Sequence, residues 1–187
     1  MVGKDRALET CEVAISACGG DAAEAVLILE TDSLTRFANS EIHQNTTIRD
    51  ATLFVRAVLG TRAGWASTNQ ITHGAVQEAA RRAVEMAGVQ PETPYAPGLA
   101  DPAEYEEADG YDERTAAFTP AERAQAVSRI IRQADAHGLN ASGSLRTRVT
   151  EVAVANSRGV RAWARGTDAS LITVVMTGFE SDAGSGY

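Results

Sequence analysis

The sequence carries an internal echo, and that echo limits the folds open to it. Ala38-Asn39-Ser40 is followed twelve residues on by Asp50-Ala51-Thr52-Leu53. Ala155-Asn156-Ser157 is followed thirteen residues on by Asp168-Ala169-Ser170-Leu171, and Gly60 and Gly178 each lie ten beyond the aspartate. An amphipathic helical pattern precedes each block. The repeated unit reads as helix, strand, Asn-Ser turn, strand and Asp-Ala-x-Leu strand, which points to a duplication. Connections of hairpin length join strands antiparallel. The expected class is therefore α+β, a largely antiparallel sheet with three amphipathic helices, in which each copy buries what the other exposes.

Local patterns place the elements. Leu8, Cys11, Ile15 and Cys18 make one apolar stripe, which predicts a helix over 5–17 ended by Gly19-Gly20. Residues 25–29 read as a buried strand, and 34–44 as a second, more exposed one. Residues 52–59 (TLFVRAVL) are rich in β-formers, and Gly60 turns them into a partner strand over 62–68. A helix over 73–87, with Thr72 as cap, packs through Val76, Ala80, Ala83 and Ala87. Thr119-Pro120-Ala121-Glu122 is a capping box with proline at the first helical position. The helix it opens buries Val127, Ile130, Ile131 and Ala134, and His137-Gly138 closes it. Further strands are expected at 144–155, 160–165 and 170–179, the first two joined by a turn at 156–159.

Between the repeat-like halves, 1–87 and 119–187, lies a connector over 88–118. It holds four of the five prolines and three of the four tyrosines, Tyr95, Tyr105 and Tyr111. It also carries a concentration of acids. The tyrosines suggest a segment pinned to a surface, which favours a wrapping connector over a lid above a cleft. The whole chain, 1–187, is expected to form a single α+β domain.

Composition excludes several classes of function. With 25 acidic against 17 basic side chains the net charge is −8, and no basic cluster offers a footprint for nucleic acid or an anionic membrane. No apolar run approaches the roughly 20 residues a bilayer-spanning helix needs. No apolar stretch follows the first basic residues, so no secretory signal is visible and a cytoplasmic location is expected. Cys11 and Cys18 are seven apart on a helix, about 10.5 Å between Cα atoms. That is too far for a disulfide, so they read as two buried thiols in a reducing compartment.

The catalytic inventory is thin. His43, His73 and His137 stand apart from one another, and no zinc spacing, nucleophile elbow, P-loop or dinucleotide fingerprint occurs. No catalytic residue, metal ligand or cofactor is assigned to this chain. The most informative polar stretch is RFANSEIHQN, residues 36–45. In one reading Arg36, Asn39, Glu41, His43 and Asn45 offer hydrogen bonds to an extended peptide at a sheet edge. In the other they form a solvated face with an Asn-Ser turn.

RFANSEIHQN, then DATLFVRAVLGTRAGWASTNQ and EAARRAVEMA, resembles the TldD/PmbA family, whose members have been described as modulators of DNA gyrase and as metalloproteases. The segments ADPAEY, YDERTAAFTPAER and VAVANSRGV continue the match in order. The resemblance covers most of residues 20–187. It implies a cytoplasmic, two-subunit peptidase acting on unstructured peptides, with an α+β N-terminal half and a mostly β C-terminal half. In the TldD-type subunit a helix with H-E-x-x-x-H carries zinc beyond the segments matched here. The PmbA-type partner, also called TldE, lacks that motif, and the RFANSEIHQN wording looks closer to this type. The sequence contains no H-E-x-x-x-H, and the family's C-terminal β domain is expected to be absent from it. Zinc is thus expected only in a missing half or a partner subunit.

Three functions follow as expectations. The first is an N-terminal peptide-binding and assembly domain of a TldD/PmbA-type subunit, not catalytic by itself. It would associate with a partner subunit or itself and take unstructured peptide, but neither nucleic acid nor membrane. The second is a stand-alone protein-interaction module sharing the fold. The third is a modulator of DNA gyrase, weakened by a modest net charge whose acids cluster in one segment.

Overall fold

Asn39 and Ser40 both adopt positive φ, 51° and 58°. A two-residue hairpin turn whose twist matches the flanking strands requires this, and Asn pays least among residues with a Cβ. The turn joins β1 (Ala22–Ala38) to β2 (Glu41–Leu59). The strands expected at 25–29 and 34–44 are therefore one long strand and a hairpin, with 34–44 straddling the turn. The polar run Glu30-Thr31-Asp32-Ser33 interrupts the apolar pattern but not the strand, because its side chains find partners. The Ser33 and Thr47 hydroxyls lie 3.0 Å apart, and Arg146 Nε donates to Asp32 Oδ1 at 2.7 Å.

The computed structural model describes residues 1–95, 98–106, 108–177 and 184–187. Helices α1 (Lys4–Ala17), α2 (His73–Val89) and α4 (Pro120–Asp135) match the three expected, and α3 (Glu113–Ala116) is a single additional turn. Strand β3 (Arg62–Thr68) follows β2 as expected. β4 (Asn140–Asn156) and β5 (Arg161–Met176) are longer than their sequence signals, and β6 (Ser185–Gly186) is a two-residue rung. The break expected between 165 and 170 does not occur. Gly178 and Phe179, expected in the last strand, lie outside the described residues. The strands form one antiparallel sheet in the order β3-β2-β1-β4-β5-β6, giving the α+β class. Among the described residues no helix is long and apolar enough to cross a membrane.

Contacts divide the chain into two compact units that cut across the sequence halves. Unit 1 is 1–30, 50–109 and 150–165; unit 2 is 31–49, 110–149 and 166–187. Strands of 16 to 19 residues far exceed the usual 5–6, and β1, β2, β4 and β5 contribute to both units.

In unit 1, α1 and α2 cover Ala25, Leu27, Leu29, Leu53, Val55, Ala57, Ala153 and Ala155. α2 presents Val76, Ala79, Ala80, Ala83 and Ala87, all buried. These small side chains let it approach β3 so closely that a Cβ on Gly64 would overlap the backbone of Ala83 and Ala87. The connector is tied down here. Asn156 Nδ2 donates to the Ala100 carbonyl at 2.8 Å, and the Trp163 amide donates to the Tyr105 hydroxyl at 3.3 Å.

In unit 2 the core is Phe37, Val127, Ala134 and Ala141, bordered by Ile42, Ile130, Ile131, Leu139, Leu145 and Val175. The capping box at Thr119 and Glu122 forms as expected. The connector continues along β5, where the Thr167 amide donates to the Gly110 carbonyl at 2.8 Å and the Asp112 amide to Thr167 Oγ1 at 3.0 Å. These bonds tie described residues of the connector to β4 and β5.

Candidate functional site

β3 covers only part of β2. The register runs from Leu53 opposite Thr68 to Leu59 opposite Arg62. β3 is the end of the sheet on that side. Among the described residues, then, 41–52 of β2 have β1 on one side and no strand on the other. In unit 2 this leaves 41–49 as the edge strand. An edge strand presents unpaired N–H and C=O groups, a ready template for another chain. Proteins commonly blunt such edges with lysine or proline, and 41–52 contains neither. Residues 47–50 are exposed in succession, so both faces of the strand are open there, and Ile48 is 63% exposed.

The five residues singled out from the sequence take different positions around this edge. Arg36 is exposed on β1, on the face opposite buried Thr35 and Phe37. Asn39 forms the turn, and its amide donates to Ser142 Oγ at 3.4 Å. Glu41, His43 and Asn45 occupy alternate positions on β2, all exposed. Asn45 alone is drawn into a network. Its Oδ1 accepts from Thr35 Oγ1 at 3.0 Å and from Arg123 Nη2 at 3.3 Å, while Nδ2 donates to the Pro120 carbonyl at 3.0 Å. The fold does not bring Arg36 into that network, because Arg36 and Thr35 point to opposite faces.

Arg123 is the residue that sequence reasoning missed. Its side chain is fully buried, and among the described residues no carboxylate pairs with it. Nε donates to Thr35 Oγ1 at 3.3 Å, Nη1 to the Phe118 carbonyl at 2.9 Å, and Nη2 to Asn45 Oδ1. Burial pushes its pKa down, although a guanidinium stays charged in a protein. A signal was present in the sequence. Arg123, Val127, Ile130 and Ala134 are spaced by four, three and four, so the arginine falls on the apolar stripe of α4.

Chemically, the edge can hold an extended chain by main-chain hydrogen bonds.

Two family models match the chain: PmbA/TldA metallopeptidase domain 1 over 23–87 and PmbA/TldA metallopeptidase central domain over 102–187. None of the curated proteins compared matches the sequence. Three solved structures share the fold. TldE from Thermococcus kodakarensis is 18% identical with a TM-score of 0.83, covering 94% of this chain. A Thermotoga maritima protein named as a modulator of a DNA gyrase is 14% identical with a TM-score of 0.76, covering 88%. A Bacteroides thetaiotaomicron protein named as a modulator of DNA gyrase is 17% identical with a TM-score of 0.79, covering 99%. The chain spans 40%, 38% and 44% of those chains respectively. The family description carries a metal. Among the described residues no group of three His, Cys, Asp or Glu side chains comes together that could hold a metal ion.

Proposed function

The chain belongs to the PmbA/TldD metallopeptidase family, and on that premise we propose that it captures unstructured peptide and assembles with a partner subunit, without cutting the peptide itself. The observation that carries this reading is the edge of β2 over 41–49, which among the described residues has β1 on one side only, because β3 ends at Thr68, opposite Leu53. An extended guest adds there as a further strand, held by main-chain bonds and tuned by Glu41, His43 and the turn at Asn39. Zinc chemistry falls to a partner subunit or to residues outside 1–187. A cytoplasmic location is part of the reading, and its two unpaired thiols accord with a reducing compartment.

Fluorescein-labelled casein, a disordered polypeptide, provides the test by fluorescence anisotropy. Successive N–H groups of a strand point to opposite sides, so of Thr46→Pro and Thr47→Pro one removes an outward donor and blocks the edge. That variant is expected to weaken casein binding at least about tenfold while circular dichroism stays native. Wild-type affinity in both folded variants would refute edge capture. Two structural relatives carry the name of gyrase modulators, so binding of purified gyrase is the competing outcome. Gyrase bound while casein is ignored would replace the peptide reading.

A further inference from the structure

We propose that Arg123 is a positioning residue for the free edge of β2, a buried fork that stiffens 41–49 into a template before any guest arrives. The inference rests on the reading that this edge takes an extended chain. Among the described residues the edge strand over 41–49 has β1 as its one neighbour in the sheet, so a single ladder of hydrogen bonds holds it there. Arg123 ties it from the other direction. One guanidinium reaches Thr35 on β1, Asn45 on β2 and the Phe118 carbonyl just before α4. Asn45 then reaches the Pro120 carbonyl in the first turn of α4. Both arms of the hairpin and one helix end are thereby held at a single point.

An apolar residue on the α4 stripe would meet the packing requirement without desolvating a charge, and replacing buried charges by apolar residues of similar size is often neutral or stabilising. Cohesion of the core therefore does not account for an arginine at this place. Its fork geometry does, since three donors fixed in one plane address three separate segments and set their register. A template ordered in advance spares the guest part of the ordering cost of association.

Arg123→Met and Asn45→Ala test this, read by backbone amide exchange, thermal melting and casein anisotropy. Both variants are expected to raise exchange over 41–49 about tenfold or more, leave 53–58 unchanged, and weaken casein binding by a similar factor. Asn45→Ala breaks the link at an exposed position and keeps the experiment decisive if Arg123→Met does not fold. Arg123→Lys, which keeps the charge and loses the fork, is expected to behave like Arg123→Met. Unchanged exchange over 41–49, a rise spread evenly over the whole sheet, or full rescue by lysine would each overturn the proposal. If wild-type protein ignores casein, capture fails as a reading, and the exchange data alone decide whether Arg123 positions the edge.

Discussion

Asn45 Oδ1 accepts a hydrogen bond from the Arg123 guanidinium at 3.3 Å, although Asn45 is exposed and Arg123 is fully buried. A surface amide thus serves as the acceptor for a buried charge that has no carboxylate among the described residues. This arrangement predicts what a carboxylate would do. Asn45→Asp places a negative charge beside the guanidinium and gives up the Nδ2 bond to Pro120. The charged pair outweighs the lost neutral bond by about 1 kcal/mol. The new carboxyl would have a folded pKa below its unfolded value of about 3.9, so the gain is present above that pH and fades as pH falls through the folded value. Urea unfolding at pH 7 and pH 3 checks it; equal effects at the two pH values contradict it.

Asp32 and Arg146 supply a second pH-dependent contribution. The hydrogen bond from Arg146 holds the Asp32 carboxyl below its usual range, helped by the charges of Arg146 and Arg148 and opposed by partial burial. The pair is about a third exposed, so solvent limits its worth to at most about 1 kcal/mol. Asp32→Asn is expected to cost that much at pH 7. The cost shrinks as pH falls from about 3.9 through the lower folded value, where the wild-type carboxyl also becomes neutral. A constant difference across a pH series of urea melts would show that the pair does not titrate as described.

Gly64 is where β3 and α2 meet backbone to backbone. Gly64→Ala introduces a Cβ into the Ala83 and Ala87 main chain, which no rotamer change relieves. Overpacking of this kind is expected to destabilise by about 3 kcal/mol, read as a shift in the denaturant midpoint. Gly74→Ala, on α2 with nothing within 4 Å of its Cβ, is the control and is expected to lose nothing.

Burial pushes the Cys11 thiol up to about 12, a backbone hydrogen bond at Leu27 opposing it, and burial pushes Cys18 up to about 11. Reactivity needs the thiolate, so both thiols are expected to resist Ellman's reagent at pH 8 and to react once guanidinium unfolds the chain. Raised folded values favour the native state fully below the unfolded pKa of about 8.5, and that advantage is lost as pH rises from there towards the folded values. Cys11 is buried as expected, whereas Cys18 is only half-buried; rapid labelling of Cys11 in the native protein would contradict its burial.

How far the sequence could be read depended on the range of the interaction concerned. The capping box at Thr119 and Glu122 was legible because its partners are three residues apart. The Asn-Ser signal at 39–40 is legible as a turn, yet polar alternation continues on both sides of it, so the pattern over 34–44 resembles one exposed strand and masks the reversal. The breaks expected near Asp168 and between 29 and 34 are absent for a related reason, since β1 and β5 run through both. Polar residues there looked like punctuation, but partners such as Arg146, more than a hundred residues from Asp32, keep them in the sheet.

The candidate site divides in the same way. The stretch 36–45 drew attention through its own composition, and its placement on a hairpin follows from local turn chemistry. That exposed Asn45 is hydrogen-bonded into the fold depends on Thr35, Pro120 and Arg123, and the last of these is 78 residues away. That 41–49 is an edge depends on where β3 ends, a matter of register between strands.

By itself the sequence determined the three helices, the antiparallel class and the turns, because periodicity, capping and positive φ act over a few residues. The tertiary structure alone decided which polar side chain is buried, which strand lacks a neighbour and how one sheet serves two cores. Those outcomes turn on desolvation and pairing between segments far apart in the chain, which no local window contains.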